Sequence, residues 1–146
     1  MSKRLITLSG PTGIGKTALA IELAQHYNTE IISCDSRQFY KEMAIGTAVP
    51  SVEELKSIPH HFIQHLSIHD NYSVGTFEKE ALQLMDILFQ KFDTLILVGG
   101  SGLYMNAVIH GMDSFPEVPK KIREELNAAY QEKGIEYLQN EFLKWD

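Results

Sequence analysis

The chain has 146 residues, 44% of them apolar and 22% charged, which excludes a disordered chain and is enough for one domain with a real core. A formal net charge of −6 argues against a nucleic-acid partner, because neutralising phosphates takes a basic face. The lone cysteine, Cys34, excludes an internal disulfide and a cysteine-built metal site, and it fits a reducing cytoplasm. Met1-Ser2-Lys3-Arg4 leads into too few apolar residues for a signal peptide, and no run reaches membrane-spanning length. The expectation is therefore a cytoplasmic protein with no membrane partner.

Residues 4–9 form the first strand, apolar enough to expect burial on both faces. It runs into Gly10-Pro11-Thr12-Gly13-Ile14-Gly15-Lys16-Thr17, which is G-x-x-x-x-G-K-[ST] between a strand and a helix. The glycines let several backbone N–H groups turn toward one anion, and the helix N-terminus adds partial positive charge. Lys16 supplies a mobile cation for the outer phosphate, and the Thr17 hydroxyl is placed to ligate Mg²⁺. This loop binds a diphosphate or triphosphate. The helix that follows runs to about His26, with Leu19, Leu23 and Tyr27 on one face, and Asn28-Thr29 ends it.

Residues 30–34 make a second strand, so the chain opens as the βαβ unit of a P-loop NTPase-like parallel sheet flanked by helices. That strand delivers Asp35-Ser36-Arg37-Gln38 to its carboxyl end, where ligands of open α/β sheets bind. Asp35 also suits an Asx turn or a helix cap, and both readings stay open. Residues 39–48 lack a clean period and read as loop with a short helix, and residues 52–57 as a helical turn.

His61, His65 and His69 are four apart, a spacing that invites a metal reading. The alternation of Phe62, Gln64, Leu66 and Ile68 fits a strand better, and nothing nearby adds a carboxylate or thiolate ligand. From Phe77 a long amphipathic helix carries Ala81, Leu84, Met85, Leu88 and Phe92 as a core stripe. Residues 94–98 are a continuous apolar strand ending in Gly99-Gly100-Ser101-Gly102, then residues 103–109 are helical and Gly111 stops them. Beyond Pro116 and Pro119, two helices follow, one with Ile122, Leu126 and Ala129 or Tyr130, one with Ile135, Leu138, Phe142 and Trp145, separated by Gly134.

Switch and motor NTPases need a carboxylate at the end of an apolar strand to hold Mg²⁺. Here that strand ends in Gly99-Gly100-Ser101, Asp93 lies at its wrong end, and no Asn-Lys-x-Asp guanine reader occurs. A transferase fits better, with Asp35 as general base and Ser101 beside an acceptor.

As a set, Gly10–Thr17, Asp35-Ser36-Arg37-Gln38-Phe39-Tyr40, Ile45-Gly46-Thr47-Ala48, Pro59-His60-His61, Tyr72-Ser73-Val74-Gly75-Thr76-Phe77 and Leu97-Val98-Gly99-Gly100-Ser101-Gly102-Leu103-Tyr104 resemble the tRNA dimethylallyltransferases, also called tRNA isopentenyltransferases. The resemblance extends from the first strand to about Gly111. It implies transfer of a dimethylallyl group from dimethylallyl diphosphate to the exocyclic amine of the adenosine 3′ of a tRNA anticodon. It implies that the diphosphate occupies Gly10, Pro11, Thr12, Gly13, Ile14, Gly15, Lys16 and Thr17, with Mg²⁺ on Thr17. It also implies that Asp35 accepts the amine proton, that Ser36, Arg37 and Gln38 contact the nucleotide, and that Ser101 contacts the base or orders Asp35. Arg123 matches an arginine that the family uses on tRNA; a solvated helix cation is the alternative.

Such enzymes are longer, so the expected division is a P-loop core over residues 1–114 and the beginning of a helical tRNA-binding insertion over residues 115–146. The basic half then lies outside these residues, which accounts for the acidity. The expected consequences are an exposed apolar surface, an unpaired strand edge, weak binding of the donor diphosphate, no prenyl transfer by these residues alone and their self-association, with a monomer as the full-length form. The alternatives are a small-molecule kinase of the shikimate kinase type using ATP, against which no arginine-rich lid is found, and a non-catalytic nucleotide-binding module.

Overall fold

The computed structural model describes residues 2–113, 116 and 118–145. In chain order the elements are β1 (Arg4–Ser9), α1 (Lys16–Tyr27), β2 (Ile31–Ser33), α2 (Val52–Ser57), β3 (His60–His61), α3 (Val74–Leu88), β4 (Thr94–Gly99), α4 (Gly102–His110), α5 (Lys120–Lys133) and α6 (Ile135–Phe142). Contacts divide them into two compact units, Met1–Met112 and Asp113–Asp146.

In the first unit the strands form one parallel sheet of order β1-β4-β2-β3. β4 is buried along its whole length, as an unbroken run of β-branched and aliphatic residues requires. Its side chains alternate between two cores. Leu95 and Leu97 face the one built on Phe39, Phe77 and Met105, which α3 and α4 cover. Ile96 and Val98 face the other, with Ile31 under Ala20 and Ala24 of α1. Each fully buried aliphatic side chain contributes about 1.5–3 kcal/mol, so β4 outweighs any other strand in holding the sheet.

Helix boundaries follow local chemistry. Asn28 takes a left-handed conformation (φ 48°) and closes α1. Ser51 and Glu54 form a reciprocal capping box on α2, and the Ser73 hydroxyl accepts from the Thr76 N–H at the start of α3. The apolar stripe of α3 is buried at Phe77, Ala81, Met85 and Leu88, as its period predicts. Gly111 ends α4, also as expected.

Four expectations need correction. β1 is an edge strand with Arg4, Thr7 and Ser9 exposed, not a strand buried on both faces, because β4 takes the central place. The buried face of α1 is Ala20 and Ala24, while Leu19 and Tyr27 are exposed. Small residues let α1 sit close on Ile31, Ile96 and Val98, and a period of 3.6 cannot tell which stripe packs. The strand expected over the histidine stretch is only His60–His61, because Phe62 (φ 61°) and Gln64 (φ 48°) are left-handed and break it; a single bridge, Tyr40 to Leu66, lies beyond. Residues 39–48 hold turns and no helix. The expected domain boundary at residues 114–115 lies outside the described residues.

The second unit is a helical pair, with α5 and α6 packed on each other across Gly134 (φ 77°). Lys133 Nζ lies 4.6 Å from the Tyr137 ring centre, and Lys121 pairs with Glu125 at 3.5 Å. Neither helix has a buried residue, and Ile135, Phe142 and Trp145 are exposed.

Gly99 marks the tightest point of the sheet. A Cβ there meets the Cys34 carbonyl carbon and Sγ at 2.7 Å and the Asp35 nitrogen at 2.9 Å, mostly backbone that cannot yield. Gly99→Ala is therefore expected to destabilise the protein by about 1–3 kcal/mol through overpacking. Urea unfolding measures it, and an unchanged midpoint contradicts the packing described.

Candidate active site

The phosphate loop joins β1 to α1 and has the shape its glycines permit. Gly13 (φ 87°) and Gly15 (φ 89°) are left-handed, so a side chain at either is strained. Gly15 is the N-cap of α1 and makes no side-chain cap, which leaves first-turn N–H groups directed at the loop. Lys16 Nζ folds back to the Pro11 carbonyl at 2.6 Å, so the ammonium lies over the loop. Ile14 is exposed, with its Cδ1 against Gly10.

Two cavities meet beside this loop. One, of about 240 Å³, is lined by Thr12, Gly13, Gly15, Lys16 and Thr17 on one side. Its other walls are Ser33 and Val98 of the sheet and Pro50, Glu54, His60 and Ile63. The second, of about 540 Å³, is lined by Ser36, Arg37, Gly46, Thr47, Gly100 and Ser101. Thr12 and Asp35 line both. A group at Asp35 thus faces the cavity beside the phosphate loop and a wider opening at once.

Hydrogen bonds fix this junction. Asp35 Oδ1 accepts the Arg37 N–H at 3.1 Å, an Asx turn, and among the described residues this is the one hydrogen bond of its carboxylate, which leaves Oδ2 free. The open alternatives for Asp35 are thus both present in one carboxylate: one oxygen holds the turn and the other remains for a ligand. Ser101 Oγ accepts the Ser36 N–H at 3.0 Å and lies 3.1 Å from Ser36 Oγ, so it ties the end of β4 to the end of β2. Gln38 is buried; its amide donates to the Thr47 and Ala48 carbonyls at 3.1 and 2.8 Å, and its own carbonyl accepts the Gln64 N–H. It pins two loops that include the left-handed residues Ala48, Phe62 and Gln64.

Of the sequence-derived site residues, the loop, Asp35, Ser36, Arg37, Gln38 and Ser101 come together here. Arg123 belongs to the other unit, on α5, and is exposed. Sequence reasoning missed Glu54, Pro50, Ile63 and His60 as walls. His60 stood within a quoted stretch, Pro59-His60-His61, but nothing local ties Glu54 to the site.

The histidines have other uses than a metal. His61 Nε2 lies 2.7 Å from Glu30 Oε2, and the His65 ring packs edge-on to Phe39, Phe62 and Tyr72. Among the described residues no group of three or more His, Cys, Asp or Glu is arranged to hold an ion unaided. The hard oxygens of Thr17 and of a bound diphosphate do suit Mg²⁺, which is often held by few protein groups and substrate phosphates. Cys34 is no nucleophile: burial, then the nearby Asp35 charge, push its thiol up to about 12.

Residues 38–146 match the family model described as IPP transferase. The chain belongs to the IPP transferase family. Residues 6–66 also match the model of the ATPase family associated with various cellular activities, which spans the phosphate loop. Relatives include the tRNA dimethylallyltransferases of Flavobacterium johnsoniae, 59% identical over 99% of this chain and 47% of that protein, and of Christiangramia forsetii, 54% identical over 100% and 48%. Among solved structures, the tRNA isopentenylpyrophosphate transferase of Bacillus halodurans is similar at a TM-score of 0.72 and 36% identity, over 100% of this chain and 48% of that one. A eukaryotic dimethylallyltransferase acting on tRNA is similar at 0.73 and 31% identity, over 82% and 31%. The chain spans about half the length of the curated relatives it matches. Among the described residues no helix is long and apolar enough to cross a membrane.

His60 gives the site a pH signature. Burial holds its imidazole below the usual 6.5, against the opposing pull of its bond to Ile58 and of Glu54. The unfolded chain takes the proton first, so this contribution to stability is complete above 6.5 and is lost as pH falls through the folded value. Melting temperature is expected to drop on acidification below that point, and less steeply in His60→Gln. Equal slopes for the two proteins contradict the assignment.

Proposed function

We propose that these residues bind dimethylallyl diphosphate and position its allylic carbon for transfer to the exocyclic amine of the adenosine 3′ of a tRNA anticodon. The observation that carries the reading is the sharing of Thr12 and Asp35 by the two cavities. The names of the relatives supply the reaction class and favour prenyl transfer over phosphorylation of a small molecule by ATP.

In this reading the diphosphate lies in the smaller cavity, on the amides at the start of α1 and the Lys16 ammonium. The adenine amine enters through the larger one. Its nitrogen lone pair forms the bond to the prenyl carbon, the carbon–oxygen bond breaks, and the electron pair leaves with the diphosphate. The amine proton passes to the free Oδ2 of Asp35, whose orientation the Arg37 N–H holds. Positive character at the allylic carbon makes leaving-group stabilisation and alignment the main tasks. Lys16 and the loop amides perform the first; the Ser36–Ser101 tie and the Gln38 clamp perform the second. Thr17 is the residue to hold Mg²⁺, which when bound offsets the charge of the leaving diphosphate. Ser36, Arg37 and Ser101 line the larger cavity and are the contacts offered to the nucleotide, and Arg123 of the second unit is a further contact to tRNA.

Lys16→Ala is expected to weaken pyrophosphate and dimethylallyl diphosphate binding by about 10- to 100-fold, the usual range for a charged hydrogen bond, and to leave the melting temperature unchanged. Wild-type affinity in a calorimetric titration overturns the donor site. Asp35→Asn in the whole protein should keep donor binding and lose about 10²- to 10⁴-fold in transfer of labelled prenyl to an anticodon stem-loop. Undiminished turnover leaves Asp35 as a turn residue only.

A further inference from the structure

Among the described residues two buried side-chain polar atoms have no hydrogen-bond partner, Thr29 Oγ1 and His60 Nε2. His60 is the one that lines the donor cavity. Its Nδ1 lies 2.8 Å from the Ile58 carbonyl oxygen, which can only accept, so Nδ1 carries the hydrogen. The neutral ring therefore keeps a bare lone pair on Nε2. A buried acceptor without a donor is costly, and such groups in native structures point to function. Dimethylallyl diphosphate has no N–H or O–H donor at its prenyl end and is an anion at the other, so its arrival offers Nε2 no hydrogen but does favour a positive charge on the ring.

We propose that His60 takes up a proton when a diphosphate enters the cavity and becomes a second positive charge on its wall, besides Lys16. The inference rests on the diphosphate-binding reading above. The Nε2 lone pair accepts H⁺ from solvent, Nδ1–H stays on Ile58, and the site gains one positive charge. The charged surroundings make the step conditional on ligand. Lys16 on α1 opposes a second cation in so small a space, and the adjacent His61 of β3, itself paired with Glu30, opposes it as well. Asp35 after β2 and Glu54 of α2 favour it. Burial keeps the free ring neutral, and only a multiply charged anion in the cavity reverses that balance. The arrangement lets the anion site stay free of excess positive charge until the donor arrives.

Calorimetric titration with sodium pyrophosphate, in buffers of different ionisation enthalpy near pH 7, counts the protons taken up; His60→Gln removes the part due to this ring and leaves that of pyrophosphate itself. The wild type is expected to take up more protons per diphosphate than the variant. Its affinity advantage should grow to about tenfold as pH is lowered toward 6 and shrink toward 8. Long-range proton–nitrogen spectra of the wild type read the ring directly and do not depend on the variant folding. They should show the Nδ1–H tautomer in the free protein and both nitrogens protonated at saturation with pyrophosphate. Pyrophosphate that binds while the ring stays neutral, with equal proton uptake in the two proteins, overturns this inference and leaves the donor site standing. Absence of pyrophosphate binding to the wild type overturns both.

Discussion

The close approach of Gly99 to Cys34 and Asp35 is the constraint on which the site depends. It lets the end of β4 lie against the end of β2 with nothing between them. Gly100 continues the approach, 3.5 Å from Asp35 Oδ2 measured from where its Cβ would be. Ser101 then reaches the Ser36 backbone, and Asp35 is carried to the wall shared by the two cavities. The burial of β4 on both faces makes this approach stiff, because close-packed interiors resist local displacement.

Around that fixed centre the walls are loops held by polar clamps. Gln38 uses its side-chain amide on Thr47 and Ala48 and its backbone carbonyl on Gln64, so one buried residue couples segments that line the cavity beside the phosphate loop. Left-handed Ala48, Phe62 and Gln64 concentrate at these segments. Each costs of order 1–3 kcal/mol and is retained only where surroundings over-determine it. The aromatic rings of Phe39, Phe62, Tyr72, Phe77 and Tyr104 supply that support from below. Rigidity here serves alignment, since reacting groups displaced by an ångström lose much of the benefit of being held together.

Electrostatically the centre is unlike the chain as a whole. The net charge is −6, yet the cavity beside the phosphate loop has Lys16 and the first-turn amides of α1. A local concentration of donors in a shielded cavity outweighs a diffuse acidic surface that salt screens within about 10 Å. Overall acidity is thus a poor guide to what this site binds.

By itself the sequence determined the phosphate loop, since its spacing between a strand and a helix admits few other uses. It also determined the class of fold, the helix α3 and the stops at Asn28, Gly111 and Gly134, because period and capping are local properties. Asp35, Ser36 and Ser101 were legible through their positions at strand ends and through family resemblance. Tertiary structure alone decided which strand is central, which face of α1 packs and where the strand at His60 ends, for these depend on what lies opposite in space. It alone brought Glu54, Pro50 and Ile63 to the cavity beside the phosphate loop and left His60 Nε2 without a partner among the described residues. No local pattern encodes such a result: the Ile58 carbonyl fixes the tautomer, and burial under residues distant in the chain removes every other partner.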